Sequence, residues 1–207
     1  MITQDKGKNR ENIKLLSPKH SGKISVEEAI SKRRSIREFK NEALTLSEIS
    51  QILWSAYGIT NRMGFRTIPS AGALCPLEIY LVAGNTNNLP AGIYKYQPET
   101  NTLITIQLGD KRIELCKASL EQECVKDAAI VIIISAVYER TTGRYGQRGI
   151  RYVFMEVGHA AQNIYLQSTA LNLGTVSIGA FHDDKVKKIL NLPEKEEPLL
   201  LMPIGKI

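Results

Sequence analysis

"SVEEAISKRRSIREFKNEALTLSEISQILWSAYGI", residues 25–59, sets two helices around a short turn crowded with cations. Ser25 with Glu28 three residues on is a capping box, in which hydroxyl and carboxylate satisfy backbone N–H groups at a helix start. It opens a helix running toward Arg33. Thr45 with Glu48 is a second box; Leu46, Ile49, Leu53 and Ala56 then share one helix face, and Gly58 marks the end. Between the two lies "KRRSIREF" (32–39), with Arg33, Arg34 and Arg37 around Ser35. On a continuing helix Arg33 and Arg37 would share a face and repel by roughly 0.2–0.5 kcal/mol. Cations at a helix C-terminus complement its dipole by about 0.3–1 kcal/mol each. That accounts for one or two of them and leaves Ser35 and the third arginine. The other reading is an oxyanion site, because guanidinium forks grip phosphate bidentately and a hydroxyl adds a donor. On these residues alone both readings stand.

Downstream, "LEIYLVAG" (77–84) predicts a strand and "AGIYKYQPETNTLITIQ" (91–107) a hairpin around Pro-Glu-Thr-Asn. "DKRIELCKASLEQ" (110–122) reads as a helix. "DAAIVIIISAVY" (127–138) lacks alternation and should be a strand buried on both faces. "ERTTGRYGQRG" (139–149) reads as a glycine-rich basic loop, and 150–174 as the longest helix, ended by Gly174. In that helix Gly158, Ala160 and Ala161 narrow the middle, so another helix or backbone can approach. A short strand or turn, "TVSIGAF" (175–181), an amphipathic helix and a last strand, "EPLLLMPIGKI" (197–207), complete the chain. Strands mixed with helices indicate an α+β or α/β sandwich. The polar residues 1–23 are expected to form an extended arm, and residues 24–207 one domain.

The 207 residues are 43% hydrophobic, enough for one substantial core. A net charge of +6 suits anionic partners, but the cations form no stripe with interleaved aromatics, which argues against nucleic acid. Cys75, Cys116 and Cys124 form no CxxC pair and read as free thiols of a reducing compartment, with a reactive thiol as the alternative. The three histidines are far apart, so no metal site is expected. The N-terminus has no apolar signal-peptide core, and the longest apolar run, 128–137, falls short of the ~20 residues a membrane helix needs. A cytoplasmic protein without membrane partners is the expectation. Neither GxxxxGK[ST] nor GxGxxG occurs, so a bound phosphate would be held by side chains.

Residues 25–59, followed in order by "TIPSAGALCPLEIYLVAG" (67–84), "AGIYKYQPETNTL" (91–103), "MEVGHAAQNIYLQSTALNLGTVSIGAF" (155–181) and "LLLMPIGKI" (199–207), resemble the nitroreductase-like FMN-dependent flavoproteins. The wording is closer to their SagB-type dehydrogenase branch than to the enzymes that reduce nitroaromatics. The resemblance implies an α+β fold, a central mixed, mostly antiparallel sheet flanked by helices, and a homodimer with FMN at the subunit interface.

By resemblance Arg33, Arg34 and Ser35 hold the flavin's phosphate and ribityl chain, and Arg37 approaches the pyrimidine edge, where a fixed guanidinium stabilises negative charge. Pro69, Ser70, Ala71, Gly72 and Ala73 match the loop that reaches the flavin of the other subunit; read by itself it is a turn before a strand. Ile178, Gly179 and Ala180 match the segment beside flavin N5, where a glycine permits backbone approach, though a bulge would explain it equally. Lys206 matches a basic residue that returns to the phosphate. Arg151 and Tyr152 match a basic–Tyr pair that handles a proton in azoline oxidases, but arginine is a poor general base. His159, Gln162 and Asn163 read as polar groups satisfying one another or the backbone. The implied activity is ping-pong hydride transfer from NADH or NADPH to a small electron-poor acceptor. The alternatives are a dehydrogenase of a small-molecule or peptide heterocycle and a non-catalytic flavin-binding partner of a modifying enzyme.

Overall fold

The computed structural model of the chain describes residues 12–207. In chain order the elements are β1 (Asn12–Lys14), α1 (Val26–Lys32), β2 (Leu44–Thr45), α2 (Leu46–Tyr57), β3 (Leu77–Ala83), β4 (Thr86–Asn87), β5 (Gly92–Gln97), β6 (Thr102–Leu108), α3 (Arg112–Ala118), α4 (Cys124–Asp127), β7 (Ile130–Ala136), α5 (Glu139–Tyr145), α6 (Arg148–Ala170), β8 (Leu173–Thr175), α7 (Asp183–Leu190) and β9 (Glu197–Lys206). Seven strands form one sheet in the order β1-β6-β5-β3-β7-β9-β8, each pair antiparallel. The parallel component is the two-residue ladder β2–β4.

Every residue of β7 is buried, and its side chains divide by the two-residue period of a strand. Ile130, Ile132 and Ile134 join the core under α2 and α6, while Val131 and Ile133 join the core under α3, α4 and α7. Each such fully buried aliphatic side chain contributes about 1.5–3 kcal/mol. Helices therefore cover both faces, and the molecule is α+β. Thr45 and Glu48 make the complete reciprocal box; of the other predicted box only half forms, the Ser25 hydroxyl accepting from the Glu28 N–H while the Glu28 carboxylate pairs with Lys32.

Four expectations need correction. Of the arm at 1–23, residues 1–11 lie outside the described residues, but Asn12–Lys14 pair with β6 as an edge strand. Leu15 drives this: it is buried in the main core, and its N–H donates to Asn101 O. The helix expected over 110–122 stops at Ala118, and Leu120 and Glu121 adopt left-handed φ before α4. The expected loop 139–149 is α5 and the first turn of α6. A Cβ on Gly149 would lie 2.9 Å from the Thr142 backbone, so its glycine lets the two helices touch. Finally, α6 ends at Ala170, followed by left-handed Asn172, a residue that tolerates this conformation. Gly174, the expected terminator, lies in β8 instead.

Candidate functional site

The arginine turn is laid on the sheet edge by two glycines. Gly174 of β8 pairs with Gly205 of β9. A Cβ on Gly174 would meet Ile36 at 2.8 Å, and one on Gly205 would meet Phe39 at 2.7 Å. Ile36 and Phe39 thus sit directly on backbone, and the chain is pinned by Ile36 N–H to Thr175 O and Lys40 N–H to Lys206 O, both 2.9 Å. Ser35 and Arg37 are left exposed on either side of Ile36.

The three arginines then separate. Arg34 donates to Ser31 O at 3.0 Å and Arg33 O at 2.7 Å, satisfying carbonyls at the end of α1. It is the helix-end cation of the first reading. Arg33 lies 5.1 Å over the Tyr165 ring. Neither Arg33 nor Arg37 has a carboxylate partner among the described residues. Arg37 approaches α4, where its charge opposes the burial that pushes the Cys124 thiol up. A cavity of about 180 Å³ adjoins the turn, lined by Lys32, Arg34, Ile36 and Thr175 among others.

Tyr165 joins this turn to the segment 177–180. Its hydroxyl shares a 3.1 Å hydrogen bond with Ser35 Oγ, accepts the Ser177 N–H at 2.8 Å and donates to Ser177 Oγ at 3.3 Å. Burial raises its ionisation, but the bonds to Ser177 and Ser35 and the charge of Arg33 outweigh it and hold the phenol below its ordinary range. Ile178 is tied to β9 by a two-way bridge with Leu201. Beyond it Gly179 and Ala180 are exposed, and their N–H groups have no acceptor among the described residues. Sequence reasoning did not single out Tyr165, which lies within the long helix expected over 150–174; its hydroxyl carried no periodic signal.

Pro69–Ala73 lie elsewhere, against the N-terminal half of α6. Ser70 Oγ donates to Glu156 Oε1 at 3.1 Å, and the Ala71 N–H donates to the same oxygen at 2.9 Å. Ser70 Oγ also accepts the Cys75 N–H at 2.9 Å. Ala71–Ala73 form a 3-10 turn, with Gly72, Ala73 and Cys75 all at positive φ. For the two non-glycine residues that costs roughly 1–2 kcal/mol each. On the outer side the Tyr145 hydroxyl lies 2.8 Å from where a Gly72 Cβ would be, and the Tyr145 ring packs edge-on against Tyr152 at 5.2 Å. Tyr152 is thereby brought beside the loop, while Arg151 points into solvent. Behind the loop, a cavity of about 270 Å³ lined by Tyr57, Arg66, Cys75, Lys95 and Arg140 carries the ion pairs Arg66–Glu99, Lys95–Glu78 and Arg140–Glu78.

Glu156 is 2% exposed. Burial pushes its carboxyl up, against the Ala71 and Ser70 hydrogen bonds and the charge of His159. Asn163 donates to Ser55 O and Thr67 O, whereas His159 and Gln162 are exposed. Lys206 ion-pairs with Glu48, the acid of the α2 capping box, so its ammonium is engaged within the chain although its backbone touches the arginine turn.

The model of the nitroreductase family matches residues 30–206. The chain belongs to the nitroreductase family. It is 51% identical over 183 residues to a Methanocaldococcus jannaschii protein provisionally named a nitroreductase, covering 88% of this chain and 91% of that one. It is 25% identical to the microcin B17-processing protein McbC of Escherichia coli, covering 79% of this chain and 63% of that one. Among solved structures, a nitroreductase-like protein of Anabaena variabilis superposes with a TM-score of 0.85 at 31% identity, covering 95% of this chain and 42% of that one. An NADPH:FMN oxidoreductase of Vibrio harveyi, solved with NAD+, shares the fold at a TM-score of 0.63 and 22% identity, covering 87% of this chain and 68% of that one. These likenesses match the fold class, and the family is one of oxidoreductases.

Proposed function

We propose that this chain is an FMN-dependent oxidoreductase that works as a homodimer in the cytoplasm. One observation carries the reading: on a nitroreductase fold, Tyr165 joins Arg33 and Ser35 of the arginine turn to Ser177, next to the exposed segment 179–180, and Arg33, Arg37 and the N–H groups of Gly179 and Ala180 have no anionic partner among the described residues. That donor set fits a phosphorylated, electron-accepting ring. Arg33 and Ser35 would hold the phosphate end, Arg37 would stabilise negative charge on the pyrimidine edge, and a backbone N–H at 179 or 180 would face the ring. Arg34 and Lys206 would join only by leaving Ser31 and Glu48. FMN, when bound, supplies two-electron chemistry, accepting hydride from NADH or NADPH and passing it to a small electron-poor acceptor.

The exposed face of α6 supports the homodimer. Arg151, Phe154, Met155, Gly158, His159 and Gln162 form an exposed stripe, with Phe154 54% and Met155 52% exposed and open space at Gly158. A second copy on this stripe would bring residues 69–73 of one subunit toward the arginine turn of the other. No helix among the described residues is long and apolar enough to cross a membrane.

The test is anaerobic stopped-flow of FMN-loaded protein. NADH or NADPH should bleach the flavin, with one FMN per subunit; protein that takes up no FMN overturns the reading. The likeness to McbC supports a second reading, a dehydrogenase of a small-molecule or peptide heterocycle with Tyr152 beside the substrate. Under it nicotinamides leave the flavin oxidised and a heterocyclic substrate bleaches it. Arg151 would serve there as a charge rather than a base.

A further inference from the structure

We propose that Glu156 is a positioning residue that holds loop 69–75 in its working shape. The inference rests on the reading of that loop as a flavin contact only for its functional consequence; the clamp itself is a property of the chain.

Glu156 is not explained by packing or by an ion pair. It is buried on α6, and no cation pairs with it among the described residues. Its Oε2 is buried without a hydrogen-bond partner among the described residues. An uncompensated buried carboxyl is unfavourable, so it must be offset by what Oε1 does. Oε1 receives both the Ser70 hydroxyl and the Ala71 N–H, and the same Ser70 oxygen receives the Cys75 N–H. Oε1 therefore holds the start of the turn directly and its end, Cys75, by way of Ser70 Oγ, across a stretch with positive φ at Gly72, Ala73 and Cys75. Two of those residues are not glycine and would relax out of that region if released. The loop's outer side meets Tyr145 and Arg144 of α5, so Glu156 supplies the opposing wall.

The role needs an acceptor, not a negative charge. Glu156→Gln keeps a carbonyl oxygen in place and should preserve the loop, whereas Glu156→Leu removes the acceptor. Ser70→Ala removes the bond to Cys75 and leaves the one from Ala71. Amide hydrogen exchange of flavin-free protein reads each bond separately. Glu156→Leu should speed exchange at Ala71 and Cys75 on the order of tenfold, Ser70→Ala at Cys75 alone, and Glu156→Gln at neither. In FMN-loaded protein, Glu156→Leu should also change the visible circular dichroism of the flavin, with Glu156→Gln restoring it. A folded Glu156→Leu protein with unchanged Ala71 exchange overturns the proposal. If that variant does not fold, Ser70→Ala decides, and unchanged Cys75 exchange overturns it. Wild-type protein that takes up no FMN while the exchange pattern holds sinks the flavin reading and leaves the clamp standing.

Discussion

The arginine turn and loop 69–75 hold their shapes in opposite ways. The turn is exposed, its backbone is ordinary, and two glycines in neighbouring strands let Ile36 and Phe39 press it onto the sheet. It presents cations that the chain leaves unneutralised. The loop carries no charged side chain from 69 to 75, its backbone is left-handed at three positions, and one buried carboxylate oxygen secures it. The first region offers charge and the second a fixed backbone shape. Helix α6 connects them, with Tyr165 under the turn and Glu156 under the loop. Nine residues at 1.5 Å each put about 14 Å between these two.

The sharpest way to break this contrast is to remove charge from the turn. Arg33→Ala with Ser35→Ala should raise the FMN dissociation constant at least 100-fold, since charge-assisted hydrogen bonds contribute about 1.5–3 kcal/mol each. Fluorescence titration checks it, and unchanged affinity would place the phosphate elsewhere. Next come the glycines. Gly205→Ala should cost about 1–3 kcal/mol in urea unfolding, because the new methyl meets Phe39 at its stiff Cβ end. Gly72→Ala should cost less, near 1 kcal/mol, because it meets the movable ends of Tyr145 and Arg144 and carries mainly the penalty of positive φ. A reversed order would mean that the loop, not the turn, is the rigid member.

Tyr165→Phe should cost about 1 kcal/mol and weaken FMN a few-fold, by leaving the Ser177 N–H without its acceptor. Thermal unfolding and titration read the two effects.

The smallest expected effect is a difference of sign with pH. Burial raises Glu48, but the bonds from Lys206 and Thr45 outweigh it and leave the carboxyl lowered. Its contribution is present above the ordinary carboxylate range and is lost as pH falls through the lowered value. Glu156 is raised, so the folded state holds its proton more tightly than the unfolded chain does. Stability there falls as pH rises from the ordinary carboxylate range through the raised value. Glu48→Gln should flatten the acid limb of a stability–pH profile, and Glu156→Gln the fall above it. The same flattening from both would show that the two carboxyls share one environment.

Much of the turn was legible before folding. The two capping boxes bracket it, and its unusual cation density is local. The loop was legible only as a run of small residues, because its shape depends on a glutamate more than 80 positions away. Tyr165 and Gly205 were missed for the same reason. A phenol in an apolar stripe and a glycine near a strand end look ordinary until a distant segment is laid against them. The stretch 139–149 misled because glycine signals a loop locally, whereas Gly149 serves helix contact.

Local chemistry, then, determined the helix starts, the buried strand β7, the hairpin and the presence of a cation-rich turn. Each is set by neighbours within a few residues. Tertiary structure alone decided the division of labour among the three arginines: with the turn docked on Gly174 and Gly205, Arg34 bonds the carbonyls at the end of α1, Arg33 lies over Tyr165, and neither Arg33 nor Arg37 has a carboxylate partner among the described residues. It also decided which carboxylate is lowered and which is raised, since both outcomes depend on burial and on partners far along the chain.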